Sequence, residues 1–281
     1  MSAKRAIGAS PEQPWQTLGM GIPYLSAEYP LRFAHRGSRV LWPENTAEAF
    51  QGAIDLGYTY IETDVRITRD GVVIVFHDST LERTTNGSGS VDQWDLEDLQ
   101  RLDAAWWFDE GNEHPWRGKG VRIRTLAEVF ETWPDVHFNI DLKGPGMEWA
   151  VADVIKRHDR EDSTLVGSFV DRRVAKFRRI TRGAVPVAAG PSAVAAMFAA
   201  SRIGRTVRRR VAAYQLPFDY KRLPLDRKLI DAIHRSGAQI HAWTVNEAAD
   251  MNRLLDLGVD GVVSDRPDTL NEVMRRRGHD V

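Results

Sequence analysis

From Leu31 onward the chain repeats one local rhythm: a short run rich in β-branched and aromatic residues, then a stretch of helical period with one apolar face. A helix that runs back along a strand leaves the next strand parallel to the first, so the rhythm selects βαβ units. It predicts about eight strands in β/α order, over 31–34, 60–67, 136–142, 164–169, 185–189, 212–217, 239–245 and 261–264. The intervening helices are expected over 44–56, 126–132, 148–158, 172–181, 192–203, 226–236, 247–257 and 269–277. Gly57, Gly237 and Gly258 stand just past three of these helices, where a left-handed residue closes the last turn. An open doubly wound sheet has fewer strands and a Gly-rich first turn, and neither G-x-G-x-x-G nor a P-loop sequence occurs here. The fold class expected is therefore α/β, a TIM-type (β/α)8 barrel. The 281 residues suit one such barrel, typically about 250 residues, with a lead segment at 1–30 and a single barrel domain at 31–281.

Two stretches depart from the rhythm. Residues 72–76 are a further β-rich run, separated from 60–67 by Arg69-Asp70-Gly71, a hairpin signal. After it, residues 78–124 carry Trp94, Trp106, Trp107, Phe108 and Trp116 with little periodicity. An excursion of that length inside a compact domain has its own small structure, and one that follows a strand end sits on the barrel face where active sites lie.

Composition removes several function classes. Thirty-eight Lys and Arg against 39 Asp and Glu leave a net charge of −1, so no broad basic field exists to hold nucleic acid. With no cysteine there is no thiolate metal site, disulfide or Cys nucleophile. Residues 1–30 lack an apolar stretch of signal-peptide length, and the apolar run at 193–200 is too short to span a bilayer. The expectation is a soluble, cytoplasmic protein with a small-molecule partner.

Chemistry in such barrels sits at the C-terminal ends of strands. Those ends here carry His35 and Arg36, Glu62 and Asp64, His77 and Asp78, Asn139, Asp141 and Lys143, His241, Trp243 and Asn246, and Asp265. Glu62 and Asp64, two apart on a strand, project from one face, as do Asn139, Asp141 and Lys143. Carboxylates crowded in a barrel mouth repel unless a cation intervenes, and their hard oxygens suit Mg²⁺ or Ca²⁺. Pairing with Arg66 or Lys143 is the alternative that needs no metal. His35 and His77 bracket the acidic strand in sequence and can exchange protons near neutral pH. Arg36 and Lys143 match phosphate oxygens. Together these groups suit cleavage of a phosphate ester.

His35-Arg36-Gly37, Pro43-Glu44-Asn45-Thr46, Ile61-Glu62-Thr63-Asp64-Val65, Thr68-Arg69-Asp70-Gly71, His77-Asp78 with Leu81 and Arg83-Thr84-Thr85, and Gly89 together resemble the glycerophosphodiester phosphodiesterases. Trp243-Thr244-Val245-Asn246 and Gly258-Val259-Asp260-Gly261 continue the resemblance in the same order to about Pro267. It implies a TIM-type barrel with a small insertion, cleaving glycerophosphodiesters to sn-glycerol 3-phosphate and an alcohol. His35 and His77 would be the general acid/base pair, and the nucleophile either the neighbouring substrate hydroxyl or water. Glu62, Asp64 and Asp141 would bind one divalent cation, Mg²⁺ or Ca²⁺, Asp141 standing where the family usually has glutamate. Arg36, Lys143, Glu44 and Trp243 would bind substrate. Ser264-Asp265 replaces a more usual Thr-Asp. The same barrel acting on lipids, as a lysophospholipase D or another phospholipid-directed phosphodiesterase, is the alternative. It draws on the Trp-rich insertion and on Arg202, Arg205, Arg208, Arg209 and Arg210, which otherwise form a solvated face.

Overall fold

The computed structural model describes residues 21–26, 30–109, 111, 113–221 and 223–281. The reading of a lead segment without a signal sequence falls mostly on residues 1–20 and 27–29, outside the described ones. Among the described residues, eight strands are β1 (Leu31–His35), β2 (Tyr60–Ile67), β3 (Val73–Val75), β4 (His137–Leu142), β5 (Thr164–Gly167), β6 (Ala213–Pro217), β7 (Gln239–Trp243) and β8 (Gly261–Ser264). The helices are α1 (Ala47–Asp55), α2 (Leu96–Leu99), α3 (Leu126–Thr132), α4 (Glu148–Arg157), α5 (Asp171–Ile180), α6 (Pro191–Arg202), α7 (Arg227–Ser236), α8 (Ala248–Leu257) and α9 (Pro267–Arg276).

Seven strands pair in parallel in the order β5-β4-β2-β1-β8-β7-β6. Residues Val187 and Ala188 close the ring, bridging in parallel to Val166 on β5 and Ala213 on β6. The stretch read as a strand over 185–189 is thus two bridged residues, and it completes eight β/α units. Helix ends follow local chemistry. The Thr125 and Glu128 capping box starts α3, Asp226 caps α7, and Gly237 and Gly258 close α7 and α8 in the left-handed conformation. Helix α1 begins three residues later than its apolar pattern suggests. Asn45 takes a left-handed backbone (φ 57°), and Thr46 caps the first turn through the Ala49 amide.

The strand period of two divides the core into two faces. Ala34, Ile61, Val65, Phe138, Ile140, Val166, Ile240 and Val262 pack outward against the helices. Leu31, Phe33, Tyr60, Leu165, Ala213 and Val263 fill the barrel interior, with Tyr24 and Leu25 packed beneath them. The Tyr60 hydroxyl donates to the Tyr24 carbonyl at 2.6 Å, so the residues just before β1 plug the N-terminal end. His241 belongs to this interior rather than to the mouth. It is fully buried, beside Gln239 and Gln215, and burial pushes it down to about 3, which keeps it neutral.

Strand β2 outruns the barrel. Its residues Tyr60–Val65 pair with β4, while Val65–Ile67 pair with antiparallel β3 through a turn at Gly71 (φ 86°). The hairpin brings the chain back until the Phe76 amide donates to the Asp64 carbonyl at 2.9 Å, which returns His77 to the mouth. The following insertion has its own core of Ile74, Phe76, Leu81, Val91, Leu99 and Val121, against which Trp94 and Trp116 pack. Arg117 lies over the rings of Trp106 and Trp107.

One glycine in the mouth is sterically required. Gly37 has φ 82°, and a Cβ there would stand 2.6 Å from the Ala49 carbonyl carbon. Gly37→Ala is expected to cost about 2 kcal/mol from backbone strain alone, lowering the melting temperature by roughly 4–8 °C. Thermal unfolding checks this, and an unchanged midpoint would contradict it.

Candidate active site

A cleft of about 810 Å³ opens at the C-terminal end of the strands, and it has two unlike walls. One carries His35, Arg36, Glu62, Asp64, His77, Asp141 and Lys143; the other is largely apolar, from Phe169, Val194, Tyr220, Leu223 and Trp243. The inward alternation of β1, β2 and β4 explains the first wall, because each strand turns polar at its last inward positions. The second comes from the segments after β5 and β6, from helix α6 and from the last residue of β7. Phe169 (61% exposed) and Tyr220 (50% exposed) stand at its rim, and Phe169 meets Trp243 edge-on at 5.6 Å.

Each histidine is backed by a carboxylate. His35 Nδ1 lies 2.6 Å from Asp265 Oδ1, and His77 Nδ1 lies 2.5 Å from Asp78 Oδ1. An ionised carboxylate only accepts, so Nδ1 donates and Nε2 is left for the cleft. His35 Nε2 is 3.6 Å from Glu62 Oε2. Asp265 is in turn held by the Asn246 side-chain amide at 3.0 Å and by Arg39 at 3.2 Å, which joins the Asn246 motif to the Ser264-Asp265 pair. Burial lowers the basicity of both histidines. For His35 the charges of Glu62 and Asp265 outweigh it and raise the pKa; for His77 burial wins and the pKa falls.

The acidic residues crowd between them. Burial works against ionisation of Asp64, yet Arg36 (Nε to Oδ2 3.0 Å) and Lys143 (Nζ to Oδ1 3.0 Å) hold its carboxyl below the usual range. Asn45 also donates to it at 3.1 Å. Lys143 sits 2.7 Å from Asp141 as well, although burial still leaves the Asp141 carboxyl raised. Glu62 is pushed up to about 7 by burial and by the charge of Asp64. Lys143 therefore takes the pairing role foreseen for it, whereas Arg66 turns away to the His77 carbonyl.

Cation supply in the mouth is incomplete. Glu62 Oε2 and Asp141 Oδ1 are buried and accept no hydrogen bond, and the buried Asp64 Oδ1 faces the Lys143 ammonium at 3.0 Å. Six carboxylates (Glu44, Glu62, Asp64, Asp78, Asp141, Asp265) are served by four permanent cations (Arg36, Arg39, Arg83, Lys143). A surplus of carboxylates over permanent cations, with buried hard oxygens on Glu62 and Asp141 that accept no hydrogen bond, fits a divalent cation. Among the described residues, no three acidic or histidine side chains are gathered tightly enough to hold an ion as they stand. The Lys143 ammonium lies between two of them.

The family profile described as "Glycerophosphoryl diester phosphodiesterase family" matches residues 35–182 and 187–269. The chain belongs to this family. That membership makes it an enzyme, a phosphoric diester hydrolase. It is 35% identical over 255 residues to the Mycobacterium tuberculosis protein named "Probable glycerophosphodiester phosphodiesterase 2", covering 88% of this chain and 92% of that one. It is likewise 35% identical over 256 residues to a "Glycerophosphodiester phosphodiesterase" of Caldanaerobacter subterraneus subsp. tengcongensis, covering 88% and 99%. Among solved structures, a phosphodiesterase of Oleispira antarctica in complex with the product sn-glycerol-3-phosphate superposes with a TM-score of 0.72 at 26% identity, covering 88% and 97%.

The structure gathers His35, His77, Glu62, Asp64, Asp141, Arg36, Lys143 and Trp243 around one cleft. Glu44 stands just behind it, bonded to Arg36 and doubly to Arg83, and does not line the cleft. Asp265 and Asp78 could be read from the sequence as polar residues at strand ends, but their pairing with the histidines could not.

Proposed function

We propose that the chain hydrolyses glycerophosphodiesters to sn-glycerol 3-phosphate and an alcohol. The observation that carries this is the convergence, at one barrel end, of three buried carboxylates, two carboxylate-backed histidines, and Arg36 with Lys143. Glu62, Asp64 and Asp141 would hold one Mg²⁺ or Ca²⁺. When bound, that ion supplies positive charge for the phosphate oxygens and the glycerol hydroxyls. Arg36 and Lys143 bind the phosphate, Arg36 as a fork and Lys143 as a mobile charge. His35 and His77 work through Nε2: one takes the proton of the attacking oxygen, from water or from the neighbouring glycerol hydroxyl, and the other protonates the departing alkoxide; where the hydroxyl attacks, water then opens the cyclic phosphate. Trp243 bounds the alcohol.

The test couples release of sn-glycerol 3-phosphate from glycerophosphocholine to glycerol-3-phosphate dehydrogenase. Release is expected to stop in EDTA and return with Mg²⁺ or Ca²⁺. EDTA-insensitive release would overturn the metal assignment; no release from folded protein with either ion would overturn the substrate. A lysophospholipid is the second reading, favoured by the apolar wall of Phe169, Val194, Tyr220 and Leu223. The tryptophans of the insertion give it no support, because none of them lines the cleft. Nor does the basic run. Residues 205–210 lead from α6 into the start of β6, the barrel end opposite the cleft, and Arg202 is bonded to Asp226. Choline release from lysophosphatidylcholine and from glycerophosphocholine, read side by side, separates the two substrates, since the acylated phosphate product of the first is silent to the coupling enzyme.

A further inference from the structure

Arg83 lies in the insertion and does not line the cleft, yet it touches both halves of the catalytic wall. Its Nη1 and Nη2 donate to the two Glu44 oxygens at 2.8 and 2.6 Å, and its Nε donates to Asp78 Oδ2. From Asp78 the path leads to His77 Nδ1 at 2.5 Å. From Glu44 it leads to Arg36 Nη1 at 2.8 Å, and from Arg36 Nε to Asp64 at 3.0 Å. The segment bearing Arg83 is itself fixed. Leu81 is buried in the insertion's core, and the buried Thr85 returns both its amide and its hydroxyl to the Leu81 carbonyl.

We propose that Arg83 is a positioning residue that sets both His77, through Asp78, and Arg36, through Glu44. The insertion thereby acts as the carrier of this guanidinium. A planar fork meets two carboxylates at once along fixed directions, whereas an ammonium is a point charge that meets one well. Both carboxylates also work on a second group: Asp78 orients an imidazole, and Glu44 shares the charge of a phosphate-binding arginine. Loss of Arg83 leaves Glu44 with Arg36 as its remaining cation, which draws Arg36 from the phosphate, and frees Asp78 to turn with His77.

The proposal rests on the phosphodiesterase reading above. Arg83→Met is expected to lower kcat/KM about 10²-fold, the scale of a roughly 1 Å misplacement, with kcat falling through His77 and KM rising through Arg36. Arg83→Lys should restore one of these and not both. In an Asp78→Asn background the added fall in kcat should vanish, and in a Glu44→Gln background the added rise in KM should vanish. Wild-type kcat and KM in Arg83→Met, or full additivity in both backgrounds, would overturn the proposal. If Arg83→Met loses its fold, Arg83→Lys carries the same comparisons. A readout without turnover is the Nδ1 proton of His77 in proton NMR, assigned by its loss in His77→Gln. It should broaden or shift in Arg83→Met, and an unchanged resonance would count against the proposal even if the wild-type substrate proved to be another diester.

Discussion

Glu62→Gln is expected to abolish turnover and, in EDTA, to make the protein more stable than wild type. Both effects follow from one oxygen. Glu62 Oε2 is buried without a hydrogen-bond partner, 3.6 Å from His35 Nε2, and its neighbour Asp64 is charged. Burial and that neighbour push the Glu62 carboxyl up to about 7, above its usual 4.5. A raised carboxyl pKa means that the folded state keeps a proton which the unfolded chain has already released. Stability therefore falls as pH rises from about 4.5 to about 7, and the full cost is present above that. A neutral amide does not ionise. At pH 8 in EDTA the variant should gain about 2 kcal/mol, allowing for hydrogen bonds the amide leaves unmade, or roughly 4–8 °C. The gain should disappear near pH 4. Adding Mg²⁺ or Ca²⁺ should then raise the wild-type midpoint and leave the variant's nearly still, because a ligand stabilises only the state that binds it. Turnover should fall by at least the 10²–10³-fold typical of losing one preorganised charge-stabilising group. Thermal unfolding with and without EDTA, alongside the coupled assay, reads all of this. A variant that is active, or that melts below wild type at pH 8 in EDTA, would sink the assignment of Glu62 as a site under electrostatic strain.

Some of this site is legible in the sequence because strand geometry makes it local. Glu62 and Asp64 share a face through a spacing of two, and Asp141 comes level with Asp64 in the β2–β4 register. The hairpin was readable at Arg69-Asp70-Gly71, and with it the return of His77. The pairing of His35 with Asp265 was not, because it joins β1 to the end of β8, 230 positions away, across the pairing of the first strand with the last. Glu44 entered the site only through the resemblance, and its bonds to Arg83, 39 residues on, through both of its oxygens, carry no local signal. The apolar wall was hidden for another reason: Phe169, Val194, and Tyr220 with Leu223 lie on the β5–α5 connection, helix α6 and the β6–α7 connection, with no shared period. The tryptophans of the insertion mark packing, as aromatic richness suggests: Trp94 and Trp116 lie on the insertion's own core, and Trp106 and Trp107 meet Arg117.

The widely spaced pair of His35 and Asp265 gives the second large effect. His35→Ala should cost about 10²–10⁴-fold in kcat, the usual worth of a positioned acid or base. Asp265→Asn should cost nearly as much, although it changes one atom that does not line up with any substrate bond. As an acceptor 2.6 Å from Nδ1, Asp265 keeps the Nδ1 proton in place and Nε2 free toward the cleft. An asparagine at the same position can present its NH₂ group to Nδ1, which makes Nδ1 the acceptor and moves the proton to Nε2. Asn246 and Arg39 both donate to Asp265 Oδ2, so the amide oxygen is drawn to that side and the NH₂ group is left facing His35. The network selects the wrong tautomer by default, as when a triad aspartate becomes asparagine. The double variant His35→Ala/Asp265→Asn should then be no slower than His35→Ala alone, because Asp265 acts only through the imidazole. Steady-state kinetics on the three variants decide it. Multiplying losses would mean that Asp265 meets the substrate itself, and an Asp265→Asn protein with wild-type kcat would mean that the His35 tautomer is set elsewhere.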